Sequence, residues 1–426
     1  MFSRISVTPS AHRLTISLRD IGYSFESAVA DLIDNSITAG ASSVDVTIGY
    51  RGKKSYVSIS DNGRGMTADE LNEALRFGSQ RSYGNGDLGR YGLGLKTASL
   101  SQCRRLSVYS RDARSGFVDS RCLDIDFIQQ VDDWVITDGD DSSDAKEIAH
   151  SLLTTASGTV VIWESLDRLL PSGNPESTWA KRKFENLATR LRQHLELVFH
   201  RFLSGEGVTP VTIRVNGVSL TAWDPFQRQE PKTKRVSQNL FEIDNGRGAG
   251  QVRFTTYCLP ARSQFSSAKA FENAAGPRKW NRQQGIYVYR ANRLVQWGGW
   301  DGIRTLDEHT KLARAALDFG TELDDQFNIN VAKMRVSIPT QLRKLVTRAI
   351  SDVCAEADAR YRRDANDRHR QRESENRPQS AVHLVNEEVG LRLKSIAMRS
   401  GNYSVLQEIF SQLRKEAPEI ADAFGM

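Results

Sequence analysis

No apolar run in the 426 residues approaches the roughly 18–20 that a spanning helix needs, so no transmembrane segment is expected. The start, "MFSRISVTPSAHR", lacks the apolar core of a secretory signal. Cysteine is scarce: Cys103, Cys122, Cys258 and Cys354 lie far apart and form no metal-ligand spacing. Reduced thiols in a cytoplasmic protein are the expectation. Charge of one sign is also modest, with a net +6. That excess permits contact with nucleic acid without demanding it, because basic residues matter only where they share a face. The chain has no Gly-Lys-Ser/Thr phosphate loop and no dinucleotide-binding fingerprint after a first strand. It has no internal repeat.

What is there is an ordinary globular composition, 39% apolar and 26% charged, on a length that suggests two or three domains. Three regions are expected: 1–170, 171–340 and 341–426. The turn-rich run "LLPSGNPEST" marks the first boundary. After it comes a helical segment, "WAKRKFENLATRLRQHLELVFHRFL". "VTIRVNGVSL" then reads as a hairpin across Asn216-Gly217, with Val211, Ile213 and Val215 on one face. "QVRFTTYCL" and "GIYVYRANRLVQW" read as strands, and "DEHTKLARAALDF" as a helix. The third region opens as a long helix near Pro339 and passes through a charge-mixed linker or frayed helix around 361–380. It ends in two short helical patterns from about Val382.

The chemistry concentrates in the first region. In "SFESAVADLIDNSITAGA", Phe25, Val29, Leu32, Ile33 and Ile37 recur at helical spacing. Asp31, Asp34, Asn35 and Thr38 fall together on the opposite face. Such a polar stripe is ordinary for a solvated helix, yet a carboxylate and an amide one turn apart could equally hold a water beside a metal ion. In "YVSISDNGRGM" the period of two puts Asp61 on the interior side with Val57 and Ile59. A buried carboxylate needs a donor. The amine of adenine is one, and a turn closed by the residues after it is the other. Gly63 and Gly65 allow backbone conformations and close approaches denied to other residues, and Met66 offers adaptable apolar contact. Thr67 and Glu70 have capping-box spacing for the next helix. "GDLGRYGLGLKTASLS" runs from glycines (Gly86, Gly89, Gly92, Gly94) into a helix near Leu95. Its amides and dipole suit phosphate, with Lys96 adding a point charge. In "SGTVVIWESL", Gly158-Thr159 precedes an apolar strand, where a hydroxyl could support Asp61.

In that order and spacing, over about Ser24 to Leu166, these motifs resemble the four-motif ATP site of the GHKL superfamily (gyrase B, the ninety-kilodalton heat-shock chaperones, histidine kinases and MutL). The resemblance implies an α+β fold: a Bergerat-type ATP-binding α/β sandwich, then a ribosomal-protein-like β/α transducer domain and a helical C-terminal tail. It implies ATP and Mg²⁺ as cofactors. Asn35 would hold Mg²⁺. Asp61 would accept from the adenine amine with Thr159 supporting through water, and Gly63, Gly65 and Met66 would line the base. Gly92, Leu93, Gly94, Leu95, Lys96 and Thr97 would wrap the phosphates. The general base would be Asp31, where the family usually carries Glu; the shorter side chain implies slow hydrolysis. Thr38 stands where another acid is common.

"DNGRGMTADELNEALRFGSQRS" with "GRYGLGLKTASLS" looks most like the microrchidia (MORC) ATPases and their bacterial relatives. "QGIYVYRANRLVQW", a helical "KLARAALDFG" and "FNINVAKMRVSIP" are similar to a transducer, whose γ-phosphate lysine would be Lys333. The resemblance implies a nucleotide-dependent homodimer clamping duplex DNA, and a bacterial genome-defence role would fit such relatives. "WAKRKFENLATRLR", "EPKTKRV", "PRKWNRQ" and "RYRRDANDRHRQR" are candidate DNA contacts, or solvated faces. The alternative is a protein-remodelling chaperone of the heat-shock class, for which the chain looks short. A histidine kinase would need a His-bearing helical pair before Ser24. A topoisomerase would need a cleavage module with a nucleophilic tyrosine, and none is visible.

Overall fold

The computed structural model describes residues 9–20, 22–78, 94–138, 143–170, 174–244, 246, 249–329, 336–375 and 379–424. It divides into two compact units, Met1–Asp358 and Ala359–Met426.

Two sheets organise the first unit. The first comprises β1 (Ser43–Gly49), β2 (Tyr56–Asp61), β3 (Arg105–Arg111), β4 (Val118–Asp124), β5 (Thr137–Asp138), β6 (Gly158–Glu164), β7 (Thr212–Val215) and β8 (Val218–Ser219). Their order across the sheet is β5-β4-β3-β6-β2-β1-β7-β8. The helices that accompany it are α1 (Ala11–Arg19), α2 (Phe25–Thr38), α3 (Ala68–Leu75), α4 (Gly94–Leu100), α5 (Ile125–Val131), α6 (Ser143–Leu152), α7 (Thr178–Val198) and α8 (His200–Ser204).

Periodicity explains the layering. On β1, Val44, Val46 and Ile48 are buried and alternate with half-buried residues, and Val57 and Ile59 of β2 join them in the core. Phe25, Val29, Leu32 and Ile33 of α2 fill the same core, where the Phe25 ring meets the edge of Trp163 on β6 at 6.2 Å. Ser24 starts α2 by accepting a hydrogen bond from the Ser27 amide at 3.2 Å. The capping box expected at α3 is present in both directions, between Thr67 and Glu70.

The hairpin expected at Asn216-Gly217 is present, with positive φ at both residues. It belongs to the first sheet, however: β7 runs parallel to β1, and α7 contributes Phe184, Leu187, Leu191 and Leu195 to the first core. The turn-rich run near 170 thus interrupts the chain without ending this sheet. The apolar stripe of α7 needs the core beneath it.

The second sheet comprises β9 (Lys234–Asp244), β10 (Ala249–Cys258), β11 (Gly285–Arg290), β12 (Arg293–Trp297) and β13 (Ala313–Phe319), in the order β12-β11-β13-β10-β9. Helices α9 (Ala268–Ala274), α10 (Lys279–Gln283) and α11 (Thr340–Glu375) accompany it. One face packs on α11 through Leu342, Val346, Ile350 and Val353. The other brings Tyr287, Tyr289 and Leu294 against Leu197 of α7.

The helix expected over "DEHTKLARAALDF" is not formed. A short 3-10 turn, Glu308–Thr310, leads into strand β13 instead. Ala313, Ala315, Leu317 and Phe319 alternate into the core, and β13 is hydrogen-bonded on both sides, to β10 and β11. Two ladders outweigh the helix propensity of alanine, which is worth under about 1 kcal/mol per residue.

The second unit contains the end of α11, α12 (Gln379–Arg399), α13 (Tyr403–Glu416) and α14 (Pro418–Ala423). Gly390 lets α12 meet the end of α14, since a Cβ there would lie 2.0 Å from the Phe424 carbonyl oxygen.

Candidate functional site

The polar stripe of α2 is not a solvated face. Asp31 and Asp34 are 2% and 0% exposed, whereas Asn35 is exposed and Thr38 half-buried. Tyr23, itself buried, donates from its hydroxyl to Asp31 Oδ2 at 2.8 Å. Burial and the neighbouring Asp31 carboxylate push the tyrosine pKa far up, so it stays a donor. Arg293, at the start of β12, covers the pair from the second sheet. Its Nε lies 3.1 Å from the Asp34 carboxylate and its Nη2 is 3.8 Å from Asp31 Oδ1. Thr38 turns its hydroxyl back to the Asp34 carbonyl at 2.9 Å. Gly94, the first residue of α4, faces the same place, for a Cβ there would sit 3.7 Å from Asp31 Oδ2.

Asp61 is the last residue of β2. Its Oδ1 accepts from the Gly63 amide at 2.9 Å, which closes the turn, and its Oδ2 accepts from Ser36 Oγ at 2.8 Å. The residue opposite it on β6 is Thr159. Burial nevertheless raises the Asp61 pKa above the ordinary carboxyl value, against the hydrogen bonds from Ser36 and from the Gly63 and Thr159 amides. Thr159 Oγ1 lies 2.9 Å from Ser110 Oγ, and Ser110 accepts from the Met66 amide at 2.9 Å. The Met66 backbone and the Thr159 hydroxyl therefore share one serine.

The close approach that Gly65 permits is to the chain itself. Its φ is +70°, and a Cβ would fall 1.8 Å from the Arg111 carbonyl oxygen. At Gly63, a Cβ would meet Ala39 Cβ at 2.9 Å.

Lys96 is 1% exposed and donates to the carbonyls of Ala74 and Arg76 at 2.8 and 2.7 Å. These groups lie at the end of α3, where carbonyls lack helical partners and the dipole favours a cation. Burial lowers its pKa to about 8, opposed by Glu73. Leu95 is half-buried and Thr97 fully buried, with its hydroxyl bonded to Tyr23. Gly86, Gly89, Gly92, Leu93 and Lys333 lie outside the described residues.

Residues 23–159 match the family described as "Histidine kinase-, DNA gyrase B-, and HSP90-like ATPase". The chain carries a GHKL ATPase domain. Among curated relatives, it is 38% identical over 76 residues to "DNA mismatch repair protein MutL" of Halobacterium salinarum, covering 18% of this chain and 11% of the relative. Longer matches run to the MutL proteins of Shewanella woodyi, 25% identical over 217 residues (50% of this chain, 31% of the relative), and Mannheimia succiniciproducens, 27% over 233 residues (51% and 32%). The matched segments span from about a tenth to a third of those relatives' own length.

Within this GHKL domain the structure brings Asp31, Gly94 and Thr97 into one neighbourhood, and Asp61, Gly63, Met66 and Thr159 into another. Sequence reasoning passed over Tyr23, Ser36, Ser110 and Arg293. Ser36 adjoins Asn35 on α2, so its neighbour is a local signal for it. Arg293 carried no local signal at all: it stands 259 positions from Asp34. No helix among the described residues is long and apolar enough to cross a membrane.

Proposed function

We propose that this chain binds and slowly hydrolyses ATP, and that the nucleotide gates a homodimeric, MORC-like clamp on duplex DNA. The observation that carries the reading is the 2.8 Å bond from Ser36 to Asp61. It ties the carboxylate that would accept from the adenine amine to the residue next to Asn35, so the two ends of a nucleotide site belong to one bonded unit.

In this reading Gly63, Gly65 and Met66 line the base and Thr159 supports Asp61. Gly92, Leu93, Gly94, Leu95 and Thr97 surround the phosphates. Lys96 joins them on leaving the carbonyls of Ala74 and Arg76. The exposed Asn35 amide fits Mg²⁺, a hard cation that takes few protein ligands and shares phosphate oxygens and waters; when bound it would neutralise phosphate charge. Asp31 accepts the proton of the attacking water. Its side chain is one methylene shorter than the usual Glu, and a displacement of about 1 Å can cost on the order of 100-fold in rate. Lys333 is the candidate lysine for the γ-phosphate. The division at 1–170, 171–340 and 341–426 is read as nucleotide domain, transducer-like domain and helical tail.

The differential affinity of the two states for ATP supplies the switch, at most about 2.7 kcal/mol with ATP at about 100 times its Kd. The DNA assignment is supported by the relatives, which are named as mismatch repair proteins, and by exposed Lys181, Arg182, Lys232, Lys234, Arg235, Lys279 and Arg282.

The test is ATP turnover and sedimentation of the full chain, with and without a non-hydrolysable analogue and duplex DNA, across a salt series. The expected result is analogue-dependent dimerisation and DNA affinity that falls steeply with salt. DNA binding indifferent to salt, or none, would overturn the clamp. Asn35→Ala should abolish Mg-ATP binding, whereas Asp31→Ala should keep binding and trap the dimer.

A further inference from the structure

We infer that the second sheet carries a buried binding site for a small carboxylate monoanion, gripped by the Nε–Nη2 edge of Arg314. The site uses none of the residues assigned to the nucleotide, so the two readings stand or fall separately.

Five arginines are buried among the described residues: Arg19, Arg201, Arg290, Arg293 and Arg314. The first four each meet a carboxylate, at Asp167, Asp318, Asp324 and Asp34 respectively. Arg314, on β13, is the most deeply buried at 0% exposed, and among the described residues no carboxylate pairs with it. Burial lowers its pKa, opposed by the Tyr287 phenol and the Cys258 thiol. An arginine keeps its proton even so. A whole positive charge therefore sits in a low-dielectric interior without a counter-ion from the described chain, an arrangement that strongly favours capture of one.

The free edge of this guanidinium has a definite shape. Nη1 donates to the carbonyls of Lys311 and Ala313 at 2.6 and 3.1 Å. Nε and Nη2 are buried and bond nothing among the described residues. Their N–H groups run parallel along one side of a plane, the side that takes both oxygens of a carboxylate.

The neighbours offer donors as well. Tyr287 of β11 donates its hydroxyl to the backbone and side-chain oxygens of Gln283 at 2.8 and 2.9 Å, while Gln283 Nε2 is buried without an acceptor. Trp280, whose ring centre lies 5.9 Å from the Arg314 guanidinium carbon, has its indole N–H in the same condition. A water could accept some of these bonds but would leave the cation unbalanced. One cation calls for one negative charge, and a sulfate or phosphate dianion would bring an excess of its own. Full burial of Arg314 selects a small molecule over an acidic side chain of another protein.

Helix α10 supplies both Trp280 and Gln283, so entry requires this segment to lift. It is five residues long, and Lys279 at its start holds φ at +64°, a conformation lysine rarely adopts. Arg278, Lys279 and Arg282 are exposed there and attract anions toward it.

The experiment follows the melting temperature of the full chain against formate and acetate, at ionic strength held constant with chloride, and against sulfate and phosphate in separate series. Wild type is compared with Arg314→Met and Arg314→Lys. In wild type the carboxylates should raise Tm saturably, by about 2 °C at ten times their Kd. Arg314→Met should lose that rise. Arg314→Lys, whose point charge presents no fork, should weaken formate binding at least about tenfold. Sulfate and phosphate should act alike on wild type and Arg314→Met, as salts excluded from the surface do. Crystals of wild type grown in bromoacetate should place the anomalous bromine signal beside Arg314. No saturable rise in wild type, or a rise that survives in Arg314→Met, overturns the inference. A saturable sulfate or phosphate response that Arg314→Met abolishes overturns the carboxylate class. Should Arg314→Met not fold, the bromine position decides: a signal only elsewhere, or a water held by Nε and Nη2 at saturating bromoacetate, overturns the site.

Discussion

Ser36 Oγ donates to Asp61 Oδ2 at 2.8 Å, and that bond joins the middle of α2 to the end of β2. The carboxylate also closes its own turn through the Gly63 amide at 2.9 Å. Asp61 is thus both a structural cap and the proposed reader of adenine, and the two roles differ in what they ask of its charge.

Burial raises the Asp61 pKa in the fold. The folded protein then binds this proton more readily than the unfolded chain, so stability falls as pH rises above the unfolded value of about 3.9. Asp61→Asn should consequently melt no lower than wild type at neutral pH, and the advantage should shrink as pH drops toward that value. ATP affinity should nevertheless fall by about 10- to 150-fold, the equivalent of one charge-assisted bond of roughly 1.5–3 kcal/mol. Scanning calorimetry and titration calorimetry on the same pair of proteins check both halves.

Lys96 has the opposite linkage. Its pKa is lowered to about 8 from 10.5. Between those values the folded side chain is neutral while the unfolded one is still charged, so stability should rise with pH across that window. Lys96→Met should flatten the rise and cost about 1–3 kcal/mol by leaving the Ala74 and Arg76 carbonyls without their donor. Urea unfolding at a series of pH values measures it.

His200 reports on the contact between the two sheets. Its Nε2 lies 2.8 Å from Tyr289 Oη, and burial lowers its pKa to about 4. The folded state resists a proton that the unfolded chain accepts near 6.5, so stability should be lost as pH falls from about 6.5 through about 4. His194, lowered to about 3 by burial, adds to the same slope. His200→Gln should make the acid limb shallower, as read by melting temperature against pH.

Gly65→Ala should destabilise by more than about 1 kcal/mol, because alanine resists positive φ, and its methyl would collide with the Arg111 carbonyl oxygen at 1.8 Å. Chemical denaturation measures the loss. An alanine variant as stable as wild type would show that the turn relaxes away from β3.

Much of the nucleotide domain could be read from local pattern. The apolar spacing of α2, the period that sets Asp61 at the end of β2 on the side of Val57 and Ile59, the Thr67–Glu70 box and the Asn216-Gly217 turn depend on neighbours within a few residues; the helix, the box and the turn are where they were expected, and Asp61 is half-buried in a strand buried on both faces. β13 misled, because its alanines favour helix while its slot between β10 and β11 demands a strand. α7 and β7 lie beyond the turn-rich run near residue 170 and still add to the first sheet and its core, a packing that no local pattern shows.

The residue types of the site, and their order along the chain, belong to the sequence by itself: helical and strand periods are short-range properties of covalent geometry. Tertiary structure alone decided that Asp31 and Asp34 are buried and that Arg293 meets them from the other sheet. It also decided that Lys96 turns toward the end of α3. Burial and ion pairing depend on which distant surfaces come together, and no local pattern encodes a contact across 259 positions.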